Sequence, residues 1–145
     1  MRRRGRGAPV TTETNGNGGN GAGSGFGVLV VDDDPEWGGR MARMLSVGGS
    51  RVVVTSSGDG ALALMAQWPV DVVLVDEELS GTSGFDLTRR IRESHGDIPV
   101  VMMTGHETTA VTEAAEQAGA IACMTKPFNF DALAALLESL PRPAA

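Results

Sequence analysis

Five residues carry the chemistry: Asp32, Asp33, Asp76, Thr104 and Lys126. Each stands at the polar end of an apolar run, as in GVLVV before Asp32 and VVLV before Asp76. Brought together, they make a carboxylate cluster with one hydroxyl and one ammonium. Three carboxylates at one place repel each other and titrate as a coupled set. A divalent cation relieves that repulsion. All-oxygen ligands select a hard ion, so the expected cofactor is Mg²⁺ with several waters retained. A metal and an ammonium beside a carboxylate suit an aspartate nucleophile that accepts a phosphoryl group, with the Thr104 hydroxyl donating to a transferred oxygen. Lys126 is the only lysine in the chain, and the other eleven of its twelve Lys and Arg residues are arginine. The site therefore uses a compact point charge on a flexible stem instead of a planar fork.

The elements that must position these residues follow from the patterning. Val70 to Gly84, VDVVLVDEELSGTSG, is the stretch around which the rest is arranged. Its apolar half is rich in β-branched residues and too short for a stable helix, so it reads as a strand buried on both faces. It stops at Asp76, and a loop with Ser80, Gly81 and Gly84 follows, the place where open α/β sheets hold their ligands. Further strands are expected over 27–31, 51–55, 98–103 and 120–125. Helices alternate with them. Asp34–Pro35 starts the first, with Trp37, Met41, Met44 and Leu45 inward. Ser57 caps the second, which carries Leu62, Met65 and Trp68. The third starts at Ser83–Gly84 with Phe85, Leu87 and Ile91 inward. The fourth spans 108–118, with Val111, Ala114, Ala115 and Ala118 inward, and stops at Gly119. Asn129 caps the fifth, with Phe130, Leu133, Leu136, Leu137 and Leu140 on one face. Strict βα alternation with short links predicts an α/β fold, a doubly wound parallel sheet covered by helices on both faces. In such a sheet all strand C-termini share one rim, and the five reactive residues meet there.

Composition narrows the setting. The net charge is −6 over 145 residues, but four arginines against Glu13 leave residues 1–25 at +3 and the remainder at −9. An acidic body argues against nucleic-acid binding by that body. Residues 1–25, rich in Gly and Asn, read as a disordered tail with a basic start; residues 26–141 read as the one domain and 142–145 as a short C-terminal tail. Cys123 is the only cysteine, which excludes an internal disulfide or a cysteine-based zinc site. No h-region follows the N-terminal arginines, and no apolar run approaches the ~18 residues of a membrane span. The expectation is a cytoplasmic protein.

The motifs VLVVDDDP, VDVVLVDEELSGTSGFDL, VVMMTG and MTKPF, in this order and each at a strand end, resemble the receiver domain of two-component response regulators, the CheY-like family. The resemblance covers about residues 27–140. It implies a flavodoxin-like (βα)5 fold with sheet order 2-1-3-4-5. By it, Asp76 is the phosphoacceptor, and Asp32, Asp33, Asp76 and the backbone carbonyl of Glu78 hold Mg²⁺. Thr104 is the hydroxyl that moves to the phosphoryl group, Lys126 is its ion-pair partner, and the Lys126–Pro127 bond is cis. It further implies a signalling protein, not an enzyme. A histidine kinase or phosphotransfer protein donates the phosphoryl group, and a downstream target reads helix four, strand five and helix five. Homodimerisation is allowed. No DNA-binding domain is expected, so the chain is read as a stand-alone receiver or relay intermediate.

The sequence departs from the family at two places. Leu79–Ser80 replaces a Met-Pro pair, which frees a backbone donor and is expected to loosen the turn. Cys123 occupies the strand-five position that usually carries the switch aromatic, and reads as a small buried filler. Coupling is then expected through the Thr104–His106 loop and helix four. Glu78 and His106 lie two residues past Asp76 and Thr104, where the family tunes phosphate lifetime. Trp37, close to the expected metal site, is a core residue that also reports Mg²⁺. Two rival readings share the residues: a phosphorylation-independent pseudo-receiver, and a small haloacid-dehalogenase-type phosphatase. Pro35 and the lack of a second late acidic pair argue against the phosphatase.

Overall fold

The computed structural model describes residues 26–140. The tails assigned to residues 1–25 and 142–145 lie outside the described residues. Strand β1 (Gly27–Val31) leads to helix α1 (Pro35–Val47), β2 (Arg51–Thr55), α2 (Gly58–Gln67) and β3 (Val72–Asp76). Two short strands follow, β4 (Glu78–Leu79) and β5 (Thr82–Ser83), then α3 (Gly84–Ser94), β6 (Val100–Thr104), α4 (Thr109–Ala118), β7 (Ala122–Thr125) and α5 (Phe130–Glu138). The main sheet has the order β2-β1-β3-β6-β7, and every pair in it is parallel. Counting only these five strands, this is the 2-1-3-4-5 order of the CheY-like flavodoxin fold.

Alternation along the strands builds a core on each face. Val28, Val30, Val72, Leu74, Val101 and Met103 pack on one side with Trp37, Met41, Leu45, Leu133 and Leu137 of α1 and α5. Leu29, Val31, Val73, Val75 and Val100 pack on the other with Ala61, Met65, Leu87 and Ile91 of α2 and α3. Every residue of β1, β3 and β6 is buried, which is why these runs are continuously apolar instead of alternating.

Polar side chains fix where the helices begin. Asp34 accepts from the N–H groups of Glu36 and Trp37 ahead of Pro35, Ser57 from Gly60, Ser83 from Asp86, Thr108 from Val111, and Asn129 from Asp131 and Ala132. Gly119, at φ 108°, ends α4 in the left-handed region.

Several expected details differ. Met44 is 46% exposed, because the inner stripe of α1 widens toward Gly38 and Ala42 and leaves Met44 outside it. Trp68 lies past α2 in extended backbone, with the Arg51 guanidinium 5.2 Å over its ring. Val111 and Ala114 are only half-buried; Ala115 and Ala118 form the inner face of α4. Strands β3 and β6 run two residues later at their starts and one later at their ends than the apolar runs suggested. Asp76 and Thr104 are therefore ladder residues, held more tightly than loop residues would be. The turn after Asp76 is a short hairpin: Glu78 and Leu79 pair antiparallel with Ser83 and Thr82 around Gly81 at φ 86°. No helix among the described residues is long and apolar enough to cross a membrane.

Candidate functional site

Parallel pairing brings the strand ends to one rim, and backbone hydrogen bonds fix each end. Asp32 N–H donates to the Thr55 carbonyl at 3.0 Å, Glu77 N–H to Met103 at 2.8 Å, and Lys126 N–H to Thr104 at 2.7 Å. The Lys126–Pro127 bond is cis. Gly84 closes the floor: a Cβ there would lie 2.1 Å from the Asp76 carbonyl oxygen, so only glycine lets α3 start this close to the strand.

On this frame the Lys126 ammonium donates to Asp32 Oδ2 at 2.7 Å and pairs with Asp76 Oδ1 at 2.8 Å. The remaining oxygens have backbone donors: Asp34 N–H to Asp32 Oδ1 at 2.9 Å and Glu78 N–H to Asp76 Oδ2 at 3.1 Å. Asp33 is exposed and accepts from the Ser80 hydroxyl at 3.0 Å. Asp32, Asp33 and Asp76 each offer an oxygen within 4.8 Å of the others. One ammonium against three carboxylates leaves local negative charge, and the ligands are all oxygen. These residues fit a hard divalent cation such as Mg²⁺.

Burial pushes the Asp32 carboxyl above its ordinary range; the Lys126 and Asp34 hydrogen bonds oppose this, and the Asp76 charge adds to it. For Lys126, burial alone would favour loss of the proton. The hydrogen bonds and charges of Asp32 and Asp76 together outweigh it and hold the ammonium above its usual range. The site therefore keeps its positive charge across physiological pH. The Cys123 thiol is pushed up, first by burial and then by the charges of Glu107 and Glu77. It stays protonated, half-buried against Met102, Ala115, Ala120 and Phe85, as a filler would.

Trp37 is a core residue that also touches the site. Lys126 Nζ lies 5.2 Å from its ring centroid, its indole N–H points at the Met103 sulfur at 3.5 Å, and Phe128 meets it edge-on at 5.2 Å. Thr104 is buried at the end of β6, its hydroxyl donating to Glu77 Oε1 at 2.5 Å. Glu78, on β4, and His106, in the loop after β6, are both exposed. Glu77 and Ser80 are the site residues that sequence reasoning missed. Glu77 offered only its place directly after Asp76; Ser80 was placed in the ligand-side loop and named as a departure from a family pattern, but its contact to Asp33 was not foreseen.

Residues 28–138 match the family model described as the response regulator receiver domain. This chain belongs to that family. Among curated relatives, the receiver is 34% identical over 113 residues to the nitrogen assimilation regulatory protein NtrX of Azorhizobium caulinodans, covering 77% of this chain and 25% of that protein. It is 35% identical over 115 residues to the transcriptional regulatory protein TcrA of Mycobacterium tuberculosis, covering 79% of this chain and 46% of that one. The chain thus spans less than half the length of these relatives. Among solved structures, the beryllofluoride-activated DrrB receiver domain superposes with a TM-score of 0.73 at 27% identity, covering 79% of this chain and 96% of that one. A CheY-like receiver domain protein from Methanospirillum hungatei gives 0.73 at 25% identity, covering 79% and 93%. Receiver domains are phosphoacceptor modules of two-component systems: signalling modules that interact with histidine kinases and downstream targets, and not enzymes in the usual sense.

Proposed function

We propose that Asp76 of this receiver accepts a phosphoryl group, in a Mg²⁺-dependent step, from a histidine kinase or phosphotransfer protein. The observation that carries the reading is the Lys126 ammonium held between Asp32 and Asp76 at 2.7 and 2.8 Å, at the ends of adjacent parallel strands. An Asp76 carboxylate oxygen attacks the phosphorus of a phosphohistidine. The O–P bond forms, the N–P bond breaks, and the imidazole leaves with the bonding pair and takes a proton. Asp32, Asp33, Asp76 and the Glu78 carbonyl would hold Mg²⁺, which when bound offsets charge on the transferring oxygens. Lys126, paired with Asp76 at 2.8 Å, follows the charge as it moves onto the phosphoryl group. Thr104 supplies a hydroxyl to one phosphoryl oxygen. The product shifts the conformational equilibrium toward a form that a target protein, or a second copy of the chain, reads on α4, β7 and α5. Action in the cytoplasm, by direct protein–protein interaction or as a relay intermediate, belongs to the same proposal.

Incubation with acetyl phosphate and Mg²⁺, followed by intact-mass measurement, tests it. The expected result is one added phosphoryl group, dependent on Mg²⁺ and absent in Asp76→Asn. Uptake that survives in Asp76→Asn overturns Asp76 as the acceptor, and no uptake from either acetyl phosphate or a cognate kinase overturns the reading in favour of a phosphorylation-independent module.

A further inference from the structure

The Thr104 hydroxyl has one proton to donate and two acceptors within reach. Glu77 Oε1 lies at 2.5 Å and the His106 carbonyl at 3.0 Å, while the hydroxyl oxygen accepts from His106 N–H at 3.2 Å. The contact to Glu77 is shorter and involves a carboxylate, so it takes the proton. The Glu77 backbone is clamped on both sides: its N–H donates to Met103 on β6 at 2.8 Å, and its carbonyl accepts from Gly84 N–H at the start of α3 at 2.7 Å. The close approach that only Gly84 permits sets the second clamp. The carboxylate therefore reaches Thr104 from a fixed base, and Thr104 is itself fixed in the β6 ladder and buried.

We infer that Glu77 is a positioning residue: it holds the Thr104 hydroxyl in the resting state and sets the threshold for its transfer to a phosphoryl oxygen on Asp76. This rests on the phosphoacceptor reading of Asp76. A hydroxyl with one proton cannot serve the carboxylate and the phosphoryl oxygen together. Transfer breaks one charge-assisted hydrogen bond and forms another, so the two states are nearly balanced and the Glu77 carboxylate biases the choice. The same movement takes the Thr104 oxygen away from the His106 N–H. Residues 105–108, which join β6 to α4, lose this anchor when the hydroxyl leaves and keep the Thr125 hydroxyl's bond to Glu107 Oε1 at 2.7 Å, and the change passes to α4.

The test is a titration of the full chain with Mg²⁺ and beryllofluoride, a phosphoryl mimic, following the Thr104 and His106 amide resonances by NMR. Removing the carboxylate in Glu77→Ala is expected to shift both resonances in the resting protein and to tighten mimic binding about tenfold, the scale of one charge-assisted hydrogen bond. Glu77→Gln keeps a neutral acceptor and gives a smaller gain. In a Thr104→Ala background the Glu77→Ala gain falls below about twofold, because the bond it removes is already gone. An equal gain in both backgrounds overturns the inference and makes Glu77 a charge acting alone. Unshifted Thr104 and His106 resonances, or unchanged or weaker mimic binding in Glu77→Ala, also overturn it. A wild-type chain that binds no mimic removes the phosphoacceptor reading and this inference together. A wild-type chain that binds but ignores the Glu77 substitutions removes this inference alone.

Discussion

Burial and charge pull against each other at Asp32. The side chain is almost fully buried, and Lys126, shared with Asp76, only partly offsets the cost of ionising it there. The folded protein therefore binds the Asp32 proton more tightly than the unfolded chain does. By linkage, the Asp32 contribution favours folding at low pH, declines as pH rises from the ordinary carboxylate range through the raised value, and stays unfavourable above it. Asp32→Asn removes that penalty. Lys126 retains Asp76 as its partner. Without Mg²⁺ at pH 7 the variant is expected to be about 1 kcal/mol more stable than wild type by denaturant unfolding. The advantage shrinks as pH falls through the raised value and is gone below the ordinary carboxylate range. A variant less stable than wild type at neutral pH would show that the Lys126 contact outweighs burial. At this scale the sequence was readable where a residue ends an apolar run, as Asp32, Asp76 and Thr104 do. Glu77 and Ser80 were not readable. Their contacts, to Thr104 and Asp33, depend on how side chains cross from one strand end to the next, and no periodicity encodes that.

Strand and helix ends are where the elements do their positioning. The caps at Asp34, Ser57 and Asn129 were legible because a short polar side chain before an apolar stripe has a local reason to be there, whereas Ser83 and Thr108 were read only as the places where helices begin. The β4–β5 hairpin was not, since a two-residue strand has no pattern of its own. Gly84 joins the two kinds of element. An added methyl there meets the Asp76 carbonyl oxygen at 2.1 Å, the Asp76 carbonyl carbon at 3.0 Å and Glu77 Cα at 2.9 Å, all backbone atoms that cannot rotate away. Gly84→Ala must push α3 off β3. It is expected to cost about 3 kcal/mol by chemical denaturation, on the scale of core overpacking, and to slow phosphoryl uptake at Asp76. Gly38→Ala is the control: its methyl meets one Val54 side-chain atom at 2.9 Å, and side chains adjust where backbone does not. A Gly84→Ala stability within about 0.5 kcal/mol of wild type would sink the argument.

Across the whole molecule, the two cores hold five strand ends rigid while the rim they frame carries excess negative charge. The doubly wound architecture was legible because alternation of apolar runs with capped helices leaves few other arrangements. The size of the aromatic cluster behind the site was not, because Trp37 is far in sequence from the stretch that carries Phe128 and Phe130 and meets it only in the fold. That cluster gives the molecule an internal reporter. The Lys126 ammonium lies against the Trp37 ring and is tied to Asp32 and Asp76, two of the oxygen donors a divalent cation would use. A cation drawing on those oxygens weakens the Lys126 contacts and changes the field at the indole. Trp68 stands at the opposite rim, beside Arg51 at the start of β2, and should not respond. Mg²⁺ bound only by the native rim stabilises the whole fold, by about 2.7 kcal/mol at a hundred times its dissociation constant. The expected outcome is a Tm that climbs with Mg²⁺ concentration alongside a saturable change in tryptophan fluorescence. Trp37→Phe should keep the Tm rise and lose the fluorescence change, while Asp76→Asn should diminish both. A fluorescence change that persists in Trp37→Phe would assign it to Trp68, and would mean that Mg²⁺ acts on the fold away from the carboxylate rim.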